Sequence, residues 1–263
     1  MCAFQTLTYT GGIGSEDRCL YGFCVIRHTF ADTVSGEEAG VTHGARRWRR
    51  AAGNVLLGVS LGLLAYYSLT TLMGWLAQRD LREQVADVPV FVDERPGQTI
   101  TDEGPPLDFD GWEGEDLAWW SALAPGAPFA RLVIPAMDLD ALVVNGVTPA
   151  DLRRGPGWID WTDLPGPSGT VGISGHRTTY GAPFRRLGEL AEGDTIDLFS
   201  PYRRYRYEVT ATLVVTPDQV EVVASTEPPT LTLTACHPPY SAAYRLAVQA
   251  DLVEVRRLES DIE

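Results

Sequence analysis

The stretch Thr230–Leu246, TLTLTACHPPYSAAYRL, decides how the second half of the chain is read. Leu and Thr alternate up to Cys236, the period-two pattern of a strand with one buried face. HPPYSAA then interrupts the pattern, and YRLAVQADLVEV resumes it, so Arg245 enters the next strand nine residues after Cys236. Beyond the hydrophobic segment of the chain, Cys236 is the only thiol. A lone Cys closing a strand, with a cation entering the next, points to a nucleophile beside an anion-stabilising group. The alternative is a structural thiol, because free cysteine is among the most buried residue types.

Working outward, the same short apolar runs recur from Phe129 onward. ARLVIPAMDLDALVVNG reads as two strands around Pro135 to Asp138, and TPADLRRGPGW as a short helix followed by a Gly/Pro turn. GTVGISGH is a strand ending at His176, and PFRRLGELAEGD a short helix closed by Gly193. TIDLFS, YRYEVTATLVV and QVEVVA read as further strands ahead of the opening pair. Short strands at regular spacing with brief helices predict an all-β barrel or sandwich of about 130 residues.

The charge is distributed in zones. The chain of 263 residues carries a net charge of −14, and all 21 of its basic residues are Arg. An acidic chain lacks the basic face that nucleic-acid binding requires. RRWRR, Arg46 to Arg50, precedes a run from Ala51 to Gln78 that holds no charge. About 20 apolar residues suffice to cross a bilayer as a helix. Arginines on its N-terminal side put that side in the cytoplasm, and Trp75 sits where an interfacial aromatic belongs. The run exceeds a signal-peptide core and has no clear small-residue cleavage site after it, so it reads as an uncleaved anchor. Residues 78–126 hold 3 Arg against 12 acids together with Pro96, Pro105, Pro106 and Pro125, the composition of a stalk. WEGEDLAWW within it is expected to dock on the following domain, because Trp112, Trp119 and Trp120 would otherwise sit in water. The organisation expected is thus a cytoplasmic tail (1–50), a transmembrane anchor (51–77), an acidic stalk (78–126) and a β domain (127–263). Cys19, Cys24, His28 and His43 in the tail match no compact zinc-ligand spacing, and no cofactor is called for.

Only His176 and His237 lie beyond the anchor. Neighbouring side chains on a strand point to opposite faces, so His237 is poorly placed to serve Cys236. His176 is left as the candidate partner, brought near by the fold; the alternative is an ordinary strand-end histidine. Gly172, Ser174 and Gly175 around it leave room for a close approach.

These residues resemble the sortase family. GISGHRTTYGAPFRRLGELAEGDTI, Gly172 to Ile196, looks like the His-bearing region of sortases, and TLTACHPPYSAAYRL like their TLxTC motif with its downstream Arg. ARLVIPAMDLDALVVNGV is similar to the way their barrels begin, and the basic flank, anchor and stalk match their layout. The short Cys-to-Arg interval and the CHP sequence look most like the actinobacterial class E enzymes.

The resemblance implies a closed β-barrel of about eight strands with short helices, preceded by one transmembrane helix. It implies a cysteine transpeptidase outside the cell that cleaves an LPxTG- or LAxTG-type sorting signal between Thr and Gly through a thioacyl intermediate. Its partners would be secreted proteins with C-terminal sorting signals and a peptidoglycan precursor or stem-peptide amine, with water as an occasional acceptor. Carried over residue by residue, Cys236 is the nucleophile, His176 the proton donor and acceptor, and Arg245 the group that holds the substrate backbone or oxyanion. Ala235 departs from the family pattern, which commonly has Thr there. On this reading the PPYSAA loop forms one wall of the substrate groove. An L,D-transpeptidase-like wall enzyme is the competing enzyme class, although ACHP lacks the Gly and Ser that precede its thiol. An inactive sortase-like adhesion module is the non-enzymatic one.

Overall fold

The structure, a computed structural model, describes residues 43–88, 91 and 107–258. The Cys19, Cys24 and His28 cluster lies outside them. The chain divides into a unit ending at Ala52, whose described part is helical, and a unit from Gly53 to Glu263.

The first element is one helix, α1 (His43–Gln84), so RRWRR lies within it rather than ahead of it. Residues Arg47–Gln84 have a mean hydropathy of 1.7 over their most apolar window, long and apolar enough to cross a membrane. Leu56, Leu63, Leu64, Tyr66 and Trp75 each expose more than half of their surface. The C-terminal turns of α1 behave differently and pack on the barrel. Leu81 is fully buried beside Leu142 and Val144, and Gly74 lies against the backbone of Tyr180, where a Cβ would come within 2.6 Å.

Gln78 ties that contact down. Its Nε2 donates to the carbonyls of Leu142 (3.0 Å) and Arg154 (2.8 Å), and its Oε1 accepts from Leu142 N–H (2.8 Å). Gln78→Ala leaves three backbone groups without these partners. It is expected to cost about 2 kcal/mol, read as a lower unfolding midpoint of the detergent-solubilised chain.

Ahead of the barrel, a π-helical turn (Glu113–Leu117) runs into α2 (Ala118–Ser121). The tryptophans dock as expected. Trp120 is buried, stacks on Phe129 at 5.5 Å and donates to the Phe129 carbonyl, while Trp112 donates to the Pro165 carbonyl.

Eight strands close the barrel: β1 (Pro128–Ile134), β2 (Leu139–Asn145), β3 (Gly157–Trp158), β4 (Thr170–Gly175), β5 (Thr195–Phe199), β6 (Arg203–Val215), β7 (Thr230–His237) and β8 (Tyr244–Arg257). Their order around the barrel is β1-β2-β3-β4-β7-β8-β6-β5, with β5 returning to β1. β4 and β7 run parallel, and β7 and β8 antiparallel. The interior is apolar, with Leu132, Ile173, Leu233 and Val248 fully buried.

Two expected elements differ. PFRRLGELAEGD forms only a 3-10 turn at Leu187–Glu189; Phe184, Leu187 and Leu190 reach the core at three-residue spacing, which suits that tighter winding. QVEVVA is a 3-10 turn at Val220–Val223 instead of a strand. The Val222 carbonyl there accepts from Thr232 Oγ1 and Gln249 Nε2, so the segment lies across the outer face of β7 and β8 rather than extending the sheet edge to edge.

Candidate functional site

Side-chain alternation fixes which face each candidate occupies. Leu231, Leu233 and Ala235 belong to the barrel core, so Thr234 and Cys236 face outward from β7. Val171 and Ile173 belong to it on β4, so Ser174 faces outward, and His176 follows with the same parity just past the strand end. Leu246 and Val248 belong to it on β8, so Arg245 faces outward.

Register then brings the three together. Cys236 pairs directly with Arg245 across the β7–β8 ladder. Gly175 pairs with Ala235 across the parallel β4–β7 ladder, so the next position on each chain juxtaposes His176 and Cys236. Adjacent strands lie about 4.8 Å apart, so the register sets Cys236 between His176 and Arg245 on one outer face, all three half-buried. Cys236 is a free thiol.

Local chemistry holds the imidazole. A Cβ at Gly175 would meet the Phe184 ring at 2.6 Å, so only glycine lets this fully buried ring close against the end of β4. Phe184 N–H in turn donates to the His176 carbonyl at 3.0 Å. The His176 ring lies 5.2 Å from that of Tyr180, and the Arg153 guanidinium lies 5.8 Å from the Tyr180 ring centre. Burial first, and then the charge of Arg153, push the His176 imidazole below its usual pKa.

Arg245 donates to the carbonyls of Ala242 and Tyr244, so the PPYSAA loop anchors this guanidinium. A groove beside it is lined by neither that loop nor Cys236 and His176. The groove holds about 290 Å³ and is lined by Ser174, Thr234 and Arg245 together with Leu152, Trp161 and Val220. Its far wall is the 215–223 segment, because the 3-10 turn there folds over β7 and β8. Ala235 is 2% exposed and faces the core, so a Thr hydroxyl at that position would point away from the groove. No group of three or more metal-ligating side chains occurs among the described residues.

Residues 132–253 match the sortase domain family. Over those residues the chain is similar to sortases. Members of this family are cysteine transpeptidases, and the closed eight-strand barrel with few short helices is their fold. Among curated relatives, Sortase D of Bacillus subtilis is 34% identical over 41% of this chain and 53% of its own length. Sortase SrtE1 of Streptomyces coelicolor is 30% identical over 50% of this chain and 42% of its own length. The chain therefore spans about half the length of these two relatives. A solved structure of a Clostridium perfringens Sortase D5 transpeptidase superposes with a TM-score of 0.52 at 20% identity, covering 69% of this chain and 98% of that one.

Four residues around the candidate site went unread in the sequence: Arg153, Arg177, Tyr180 and Phe184. Arg177 is adjacent to a predicted site residue and Phe184 is part of the motif segment. Their contacts depend on which strands are neighbours, and local pattern does not carry that.

Proposed function

We propose that the chain is a membrane-anchored extracytoplasmic sortase that transfers proteins bearing an LPxTG- or LAxTG-type sorting signal onto a cell-wall peptide amine. What supports the reading is the register that sets Cys236 between His176 and Arg245 on one outer face of β4, β7 and β8. Cys236 Sγ, as thiolate, attacks the Thr carbonyl carbon of the signal. The carbon–sulfur bond forms and the Thr–Gly carbon–nitrogen bond breaks. His176 gives its proton to the departing glycine amine and then takes one from the incoming amine as that nitrogen attacks the thioester. Cys236 leaves as thiolate, and water in place of the amine gives hydrolysis. Arg245 faces the oxygen that becomes negative in both steps. The apolar side of the groove, with Leu152, Trp161 and Val220, suits the Leu of the signal. The span through α1, with Arg46 to Arg50 on its N-terminal side, supports a cytoplasmic N-terminus and an outer barrel.

The test is trapping with hydroxylamine. Incubated with an LAxTG peptide, the wild-type chain is expected to release a peptidyl hydroxamate and Cys236→Ala none. Undiminished release by that variant overturns the reading.

The pH profile probes His176. Arg153 is the second cause, after burial, that holds the imidazole low. Arg153→Met removes that cause, so the imidazole pKa rises and the acid limb of kcat/KM moves to higher pH. Arg153→Lys keeps the charge and is expected to leave the limb near its wild-type position. At the plateau the height separates two routes. It rises in Arg153→Met if the reacting pair is thiolate and imidazolium, and stays level if it is thiol and imidazole.

A further inference from the structure

Arg177 follows His176 and points to the other side of the chain. Its Nη1 donates to the Cys236 carbonyl at 3.4 Å and to Nδ1 of His237 at 2.7 Å. A guanidinium can only donate, so Nδ1 of His237 accepts and its ring proton resides on Nε2. Nη2 lies against Gly188, where a Cβ would come within 3.0 Å, and Nε is buried with no partner among the described residues. The barrel's well-buried arginines spend their charge on carboxylates: Arg131 on Asp140, Arg203 on Asp116 and Arg204 on Glu254. Arg177 makes neither of its two hydrogen bonds to a carboxylate. It accepts an unpartnered buried Nε in order to bridge the His176 chain to the main chain of Cys236 itself.

We infer that Arg177 is a positioning residue for the nucleophile, clamping the end of β7 through the Cys236 carbonyl, with His237 as the acceptor that orients its guanidinium. This rests on Cys236 being the nucleophile, as proposed above. The ladder fixes β7 only up to its end, where His237 gives way to the Pro238–Pro239 loop. At that end a side-chain clamp can set where Sγ sits relative to His176. It also gives His237 a task on the face away from the thiol.

A misplacement of about 1 Å at a reacting atom can cost on the order of 100-fold in rate. Arg177→Met and His237→Leu are therefore each expected to lower kcat about 10- to 100-fold, with KM within about threefold because the groove residues are untouched. His237→Asn places an acceptor oxygen where Nδ1 lies and is expected to retain most of wild-type kcat. Rates are divided by the quantity of Cys236 alkylated by iodoacetamide in the folded fraction, so a variant that merely folds less well shows an unchanged rate per thiol. An unchanged kcat per thiol in both Arg177→Met and His237→Leu overturns the inference, as does a His237→Asn variant as slow as His237→Leu. If Arg177→Met does not fold, the two His237 variants decide. Cys236→Ala is run alongside: if it stays active the parent reading fails, and if it is inactive while the clamp variants keep full rate, only the clamp fails.

Discussion

Cys236→Ala and His176→Ala will each slow acyl transfer on the order of 10,000-fold, and the double variant will be no slower than Cys236→Ala alone. The reason is that the two side chains act on one event. The thiol stores the acyl group, and the imidazole delivers and retrieves the proton that makes each amine a competent leaving group or nucleophile. Without the thiol there is no thioester, and the imidazole has nothing to serve. Register makes them a unit, because His176 and Cys236 follow a paired position on parallel neighbours. Arg245→Met is expected to cost less, about 100- to 1000-fold, as loss of one oxyanion donor does. Single-turnover measurements with a sorting peptide and an amine acceptor separate these outcomes. Additive losses from Cys236 and His176 would mean that the two do not act together.

How much of this was legible differs from element to element. The Cys236–Arg245 pairing is nearly local: a Leu/Thr strand, a short Pro-containing loop and an apolar strand make an antiparallel pair, and the ladder joins those two residues. The docking of Trp120 followed from the cost of leaving large aromatics in water. The meeting of His176 with Cys236 was not local. It needs β4 and β7 to lie side by side in parallel after two intervening strands, and no periodicity within either strand encodes that neighbour; the elimination of His237 and the family resemblance supplied it. The 220–223 turn was misread for a physical reason. Valine-rich polar alternation satisfies the strand pattern, yet this segment bonds to β7 and β8 through the side chains of Thr232 and Gln249 instead of a ladder. Because it wraps outward, it lines the groove beside Arg245. Arg177 had no sequence signal beyond adjacency, since its role depends on the inner side of a junction between two distant strands.

The second large effect concerns stability, and it falls on the segment just ahead of the barrel. Arg203 opens β6 with a fully buried side chain. Its guanidinium donates to Glu115 Oε2 at 2.8 Å, to Asp116, and to the carbonyls of Asp108 and Asp110. Arg257 holds the other oxygen of Glu115. Asp116 is itself fully buried, and burial pushes its carboxyl up while Arg203 pulls it back. Arg203→Met removes the cation and leaves a buried carboxyl without its counter-charge and two carbonyls without this donor, a change expected to cost about 3–5 kcal/mol. The loss has a pH signature. Without Arg203 the folded-state pKa of Asp116 lies still higher above its unfolded value, so the variant keeps most stability at acid pH and loses it as pH rises through that folded value. Arg203→Met/Asp116→Asn is expected to lose most of this pH dependence, because the fully buried carboxyl is gone and Glu115 keeps Arg257. It is also expected to recover part of the stability, since a neutral amide is far cheaper to bury than an unpaired charge. Tryptophan emission tells whether the clasp or the whole barrel gives way. Trp112 and Trp120 dock through the same segment, so their emission will shift to the red at a lower temperature than the far-ultraviolet circular dichroism of the barrel changes. Coincident transitions would show instead that the clasp and the barrel unfold as one unit.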